Sequence, residues 1–93
     1  VVVLVVNNGM YGTIRMHQER AFPGRVIATD LVNPDFSALA RAYRAFGEAV
    51  EETGAFAAAF ERALAADGPA LLDLHVDPET IAPGVSITAL RRR

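Results

Sequence analysis

The sequence predicts an α/β fold: a partial parallel sheet of three strands with crossover helices. Three observations carry this reading. Residues 1–6 (VVVLVV) are apolar without alternation, as a strand covered on both faces requires. Residues 70–76 (ALLDLHV) form a second, largely apolar strand-like run. Between them lie segments whose apolar residues recur at helical spacing, and strands alternating with helices imply a parallel sheet. The predicted order is β-α-α-β-α-β.

Residues 12–20 read as a short helix that stops before Phe22-Pro23-Gly24, and residues 21–32 have no period and read as loop. Asn33-Pro34-Asp35 reads as a helix start, with Asn as the cap, Pro at the first helical position and Asp at the positive end of the dipole. Phe36, Leu39, Ala40 and Tyr43 then recur at i, i+3, i+4 and i+7, and Gly47 is placed to end that helix. Residues 48–51 alternate and read as an exposed or edge strand. Thr53 is placed to cap another amphipathic helix carrying Phe56, Phe60, Ala63 and Leu64 on one side, closed by Asp67-Gly68-Pro69. Phe36, Tyr43, Phe56 and Phe60 are expected in the core. The last strand ends at Asp77-Pro78, and the remainder, to Arg93, reads as irregular chain or a frayed helical turn.

With 93 residues, 52% hydrophobic and 22% charged, and a net charge of −2, the chain is one small domain or a piece of a larger one. The composition argues against disorder. No apolar run approaches the ~20 residues of a membrane helix, so no membrane association is expected. The absence of cysteine excludes disulfides and thiolate metal sites. All nine basic residues are Arg, a bias that says little about function. The chain opens inside an apolar run, without the marks of a signal peptide, and is read as the tail end of a longer polypeptide. A bare strand of this kind invites pairing, so in the longer polypeptide residues 1–6 are expected to have neighbours on both sides, from strands that this chain lacks.

The chemistry is concentrated in Asn7-Asn8-Gly9-Met10-Tyr11-Gly12, where the first strand hands over to a helix. In open parallel sheets ligands bind beyond the carboxyl ends of the strands, and a helix N-terminus offers N–H groups to phosphate. Asn supplies a neutral oxygen suited to a hard cation such as Mg²⁺. The competing reading is plain turn chemistry, because Asn-Gly between apolar runs is also a strong hairpin signal. The residues beyond Gly12 do not alternate like a returning strand. On the residues alone both readings stay open.

The run VVVLVVNNGMYGTIRMHQER resembles the second half of the thiamine-diphosphate fingerprint, which ends in paired asparagines. ATDLVNPDFSALARAY and GPALLDLHVDP resemble, in the right order, the closing segments of the acetolactate synthase/benzoylformate decarboxylase-like family. The resemblance covers nearly the whole chain, to about Pro78. It implies that residues 1–93 are the C-terminal part of a thiamine-diphosphate-binding domain, an incomplete copy of that fold. It implies Mg²⁺ bound by the Asn8 side-chain oxygen and the Met10 backbone carbonyl. Asn7 would support the turn and approach the diphosphate, Gly9 and Gly12 would let the backbone pass close to the cofactor, and Tyr11 would pack beside the diphosphate arm. Thr13 and His17 are candidates for the substrate pocket, His17 being equally readable as a surface histidine. No catalytic residue is expected within this chain.

The implied parent is a cytoplasmic homodimer or homotetramer that uses thiamine diphosphate and Mg²⁺, acting on 2-oxo acids by acetolactate-type carboligation or by decarboxylation. FAD is possible in that parent and is not readable here. The Gly-Asp-Gly segment that opens the fingerprint does not occur in the chain, and Arg44 stands where the pattern has Gly, at a position where loss of a left-handed residue would matter. The alternative is a non-catalytic α/β module that docks through the edge of residues 1–6. Elsewhere, His75 reads as a hydrogen-bonded structural histidine and Glu48, Glu51 and Glu52 as a solvated cluster. Two distant histidines without cysteine do not make a zinc site. Arg91-Arg92-Arg93 are a poor footprint for nucleic acid, and no nucleic-acid partner is expected.

Overall fold

The computed structural model describes residues 1–92, which divide into two compact units. The first comprises Val1–Asn7 and Asn33–His75; the second comprises Asn8–Val32 and residues 76–92.

The first unit is a three-stranded parallel sheet in the order β1-β3-β2, built from β1 (Val2–Asn7), β2 (Phe46–Val50) and β3 (Ala70–His75). Helix α2 (Phe36–Ala42) packs on β2 and β3, as does α3 (Phe56–Ala65), which follows a 3₁₀ turn at Thr53–Ala55. The parallel sheet and its helices are as expected. The strand buried on both faces, however, is β3, with Ala70, Leu72 and Asp73 all buried, because the last strand inserts between the other two. β1 is an edge strand in this chain, pairing only with β3, and Val3, Leu4 and Val6 are exposed. Within this chain the most buried strand is therefore β3 and not residues 1–6, whose expected neighbours on both sides belong to the longer polypeptide of the sequence reading.

Strand period puts Ala70, Leu72 and Leu74 on one face and Leu71, Asp73 and His75 on the other. The first face, with Val50, meets Ala59 and Ala63 of α3 to form the core, around which Val2, Phe46, Phe56 and Phe60 pack. The rings of Phe56 and Phe60 stack at 5.5 Å. Tyr43, expected in the core, is 81% exposed, and Leu64 is exposed as well. Tyr43 is the C-cap of α2, at the point where the chain leaves the helix.

The ends of the helices differ from the sequence reading for local reasons. Asp35, not Asn33, caps α2: its carboxylate accepts from the Ala38 N–H at 3.1 Å and the Ser37 hydroxyl at 2.7 Å, and these donors hold its pKa below the usual range, the hydroxyl first. Pro34 precedes the cap. Thr53 makes no cap for α3 and instead opens the 3₁₀ turn. α2 ends before Gly47, in a Schellman motif where Ala45 N–H reaches Ala40 C=O at 3.0 Å and Arg44 N–H reaches Arg41 C=O at 2.9 Å. Arg44 occupies the left-handed position of that motif, with φ 61°. The left-handed requirement expected there is real, and an arginine meets it. Gly47 lies in β2, where a β-carbon would run into the Ser37 carbonyl oxygen of α2.

In the second unit α1 (Gly12–Ala21) packs against α4 (Ile87–Arg91), and β4 (Thr80–Ala82) and β5 (Val85–Ser86) form an antiparallel hairpin. The sequence reading placed only irregular chain or a frayed helical turn beyond residue 78. The hairpin is too short for a periodic signal, and it turns at Gly84, φ 76°. α4 is capped by Ser86, whose side chain accepts from Ala89 N–H at 3.1 Å, and by Glu79, which binds both Thr88 N–H and Thr88 Oγ1 at 2.9 Å. Its Ile87 and Leu90 are buried.

Two substitutions test this architecture. Arg44→Gly removes a β-carbon from the left-handed region and is expected to raise the unfolding free energy by roughly 0.5–1 kcal/mol, after the extra chain entropy of glycine is subtracted. Gly47→Ala is expected to lower it by about 1–3 kcal/mol through the forced shift of α2. Urea denaturation of the two variants reads both, and a stabilised Gly47→Ala protein would contradict the packing of α2 on β2.

Candidate functional site

The Asn-Asn-Gly turn is not a hairpin. β1 pairs in parallel with β3, and the residues after the turn form α1. Gly9 has φ 72°, a left-handed conformation suited to glycine. Asn8 Oδ1 accepts from the Met10 N–H at 3.2 Å, closing an Asx turn. A β-carbon on Gly12 would meet Asn8 Nδ2 at 2.8 Å, so the side-chain amide of Asn8 sits directly against the first residue of α1.

The loop at residues 29–31 fixes the other side of the turn. Tyr11 N–H donates to Thr29 C=O at 2.8 Å, and Leu31 N–H donates to Gly9 C=O at 2.9 Å. These bonds flank an isolated antiparallel bridge between Met10 and Asp30. In this bridge geometry the bonds belong to the neighbours, and the carbonyl of Met10 takes no part in the pairing. The Met10 side chain is buried, whereas Tyr11 is half exposed at the N-terminus of α1.

Asn7 has a different task, in the first unit. As the last residue of β1 it lies in register with His75 and shares a face with Asp73. Its amide donates to Asp73 Oδ1 at 3.2 Å and accepts from Asn33 Nδ2 at 3.1 Å. Asn33, read from the sequence as a helix cap, is thus a partner of Asn7. Asp73 is buried, and its second oxygen is 3.1 Å from His75 Nε2. His75 is hydrogen-bonded as expected, with Glu51 3.5 Å from its Nδ1. Asn7, Asn33, Asp35, Glu51, Asp73 and His75, together with Pro34 and Ala49, line a cleft of ≈ 400 Å³.

The second unit contains a buried carboxylate. Glu19, on α1, is 0% exposed. Arg91 Nη2 and Nε approach its Oε1 at 2.7 and 3.2 Å, and Gly24 N–H donates to its Oε2 at 2.9 Å. Arg91 is the first cause of a depressed Glu19 pKa, the Gly24 N–H the second, and Glu19 in turn raises the pKa of Arg91. Arg15, one turn earlier, has Nε 3.9 Å from Glu19 Oε1.

The other sequence candidates distribute simply. Thr13 and His17 are exposed on α1, four residues apart and therefore on one stripe of the helix. Of the expected glutamate cluster, Glu48 is instead paired with Arg62 through two bonds of 2.9 and 2.6 Å, which lower its pKa. Arg92 is exposed and Arg93 lies outside the described residues. Among the described residues no group of three or more His, Cys, Asp or Glu is placed to hold a metal ion. No helix among them is long and apolar enough to cross a membrane.

The sequence model of the family described as "Thiamine pyrophosphate enzyme, C-terminal TPP binding domain" matches residues 1–74. The chain belongs to the thiamine pyrophosphate enzymes. A curated relative, the acetolactate synthase large subunit of Parasynechococcus marenigrum (strain WH8102), is 35% identical over 76 residues. That match covers 80% of this chain and 12% of the relative, so the chain spans a small part of the length of the acetolactate synthase subunit it resembles.

Within this thiamine pyrophosphate enzyme domain, sequence reasoning missed Glu19, Asp73 and Asn33 as organising groups. The one available signal was the Arg15/Glu19 pair at i, i+4 spacing; nothing local announces a partner 72 residues away in Arg91. The Glu19 pKa lies below its ordinary value of 4.5. A folded-state value below the unfolded one contributes stability above pH 4.5, and that contribution is lost as pH falls through the depressed value. Glu19→Gln is therefore expected to destabilise the chain at pH 7 and to flatten the loss of stability below pH 4.5. Urea midpoints at neutral and acid pH measure this, and an unchanged acid limb in the variant would refute it.

Proposed function

We propose that the chain forms the C-terminal part of the cofactor-binding domain of an enzyme that uses thiamine diphosphate and Mg²⁺ on 2-oxo acids. In this reading it contributes the Asn-Asn half of the metal–diphosphate site. The supporting observation is the turn at residues 8–12. Asn8 Oδ1 spends one lone pair on Met10 N–H and retains another. The Met10 carbonyl stands outside the Met10–Asp30 pairing. Both are neutral oxygens of the kind Mg²⁺ takes alongside phosphate oxygens and water. Gly9 and Gly12 bring no β-carbon to their two positions in the turn, and the start of α1 presents N–H groups suited to an anion.

Asn8 and Met10 would hold the cation, Gly9, Tyr11 and Gly12 would border the diphosphate, and Asn7 would anchor the strand end from which the turn departs. The bound cofactor supplies the capacity to stabilise negative charge on a former carbonyl carbon. The residues of this chain bind and orient it, and Thr13 and His17, on one stripe of α1, would face substrate. Acetolactate-type carboligation is the favoured reaction, given the acetolactate synthase relative. The oligomeric, cytoplasmic parent belongs to the same reading.

Two neutral oxygens compete poorly with the hydration shell of Mg²⁺. The 93-residue chain is therefore expected to be inactive by itself and to bind Mg²⁺–thiamine diphosphate more weakly than micromolar, which calorimetry measures. Mn²⁺ with thiamine diphosphate, followed by NMR, locates the site: paramagnetic broadening is expected at the Asn8 side-chain amide and the Met10 and Tyr11 N–H groups, and is lost in Asn8→Ala. Broadening centred on Asp73 and Glu51, or unchanged in that variant, would overturn the assignment. A complete lack of response would favour the docking module that the exposed edge of β1 permits.

A further inference from the structure

Met10 is held to Asp30 by backbone bonds on either side of it, and one side chain spans the same pair. Arg15 reaches from the first turn of α1, with Nη1 3.8 Å from Met10 Sδ and 3.4 Å from Asp30 Oδ1. Its Nε, buried and without a hydrogen bond, lies 3.9 Å from Glu19 Oε1. A cation in the first turn opposes the helix dipole, so these partners, not the helix, account for its place. Glu19 is itself fixed by Arg91 and by the Gly24 N–H. The guanidinium is thus set between a buried carboxylate and the two residues of the bridge. Its planar fork reaches several groups at once, which a lysine ammonium does not.

We propose that Arg15 is a positioning residue for the Met10 carbonyl: it staples the Met10–Asp30 pair and so sets the direction in which that oxygen points. The inference rests on the reading of this carbonyl as a cation ligand. Arg15 touches neither cation nor cofactor in it, and acts through Met10.

The test uses the whole 93-residue chain as wild type, Arg15→Met, Arg15→Lys and Asp30→Asn. Asp30 is exposed, so its replacement leaves the core intact and keeps the test valid should Arg15→Met fail to fold. Amide hydrogen exchange without metal is the first readout. Arg15→Met is expected to speed exchange of the Tyr11 and Leu31 N–H groups about tenfold, with the sheet amides of β3 unchanged, Asp30→Asn following in the same direction and Arg15→Lys between Met and wild type. The second readout is Mn²⁺ titration with broadening at the Asn8 amide, in which Arg15→Met is expected to weaken affinity about fivefold or more. Wild-type exchange rates at Tyr11 and Leu31 in both Arg15→Met and Asp30→Asn would overturn the proposal, as would equal acceleration of all amides. Should wild type show no broadening at Asn8, the cation-site reading fails, and the exchange data alone decide whether Arg15 holds the turn.

Discussion

A carboxylate with no access to water governs the second unit. Burying Glu19 would be prohibitive without compensation, because an unpaired charge in a low-dielectric interior is strongly disfavoured. The compensation comes from near and far along the chain: the Gly24 N–H just after α1, and the Arg91 guanidinium 72 residues away. Satisfying Glu19 therefore requires α4 to return to α1. Once it does, Ile87 and Leu90 are buried, and Glu79 and Ser86 cap the helix that carries Arg91. Arg15 is drawn to the same carboxylate and connects this charge cluster to the Met10 turn.

The first unit is organised by the insertion of β3 between β1 and β2. That position pairs β3 along both of its edges and buries Ala70 and Leu72. It also places an acid, Asp73, in the interior, where the Asn7 amide and the His75 ring satisfy it. Two consecutive asparagines thus answer different demands. Asn7 closes a hydrogen-bond chain from Asn33 to Asp73, and Asn8 shapes a turn around its own backbone. The residue that anchors the strand end is thus separate from the residue that shapes the turn.

Much of the fold was legible because it is local. Six apolar residues, helical spacing in two segments and the Asn-Asn-Gly turn can each be read without knowledge of the rest of the chain. The left-handed position at Arg44 was also visible, as a departure from a pattern that has glycine there. Errors arose where a local signal had two tertiary outcomes. Asn33 has the chemistry of a cap and serves as a partner to Asn7, while Asp35 two residues later does the capping. Gly47 looks like a helix stop and is a point of close approach between α2 and β2. Strand order within this chain is decided by which strand inserts between which, and no single strand encodes that.

By itself, then, the sequence determined the alternation of strands and helices, the parallel sheet and the turn with its neutral oxygens, since backbone preference and side-chain period act over a few residues. Only the tertiary structure decided that β3 is central, that Glu19 is buried against Arg91, and that Arg15 spans Met10 and Asp30. Those are contacts between positions far apart in the chain. Their strength depends on excluded water and on the geometry of closely placed charges, which exist only once the chain has folded.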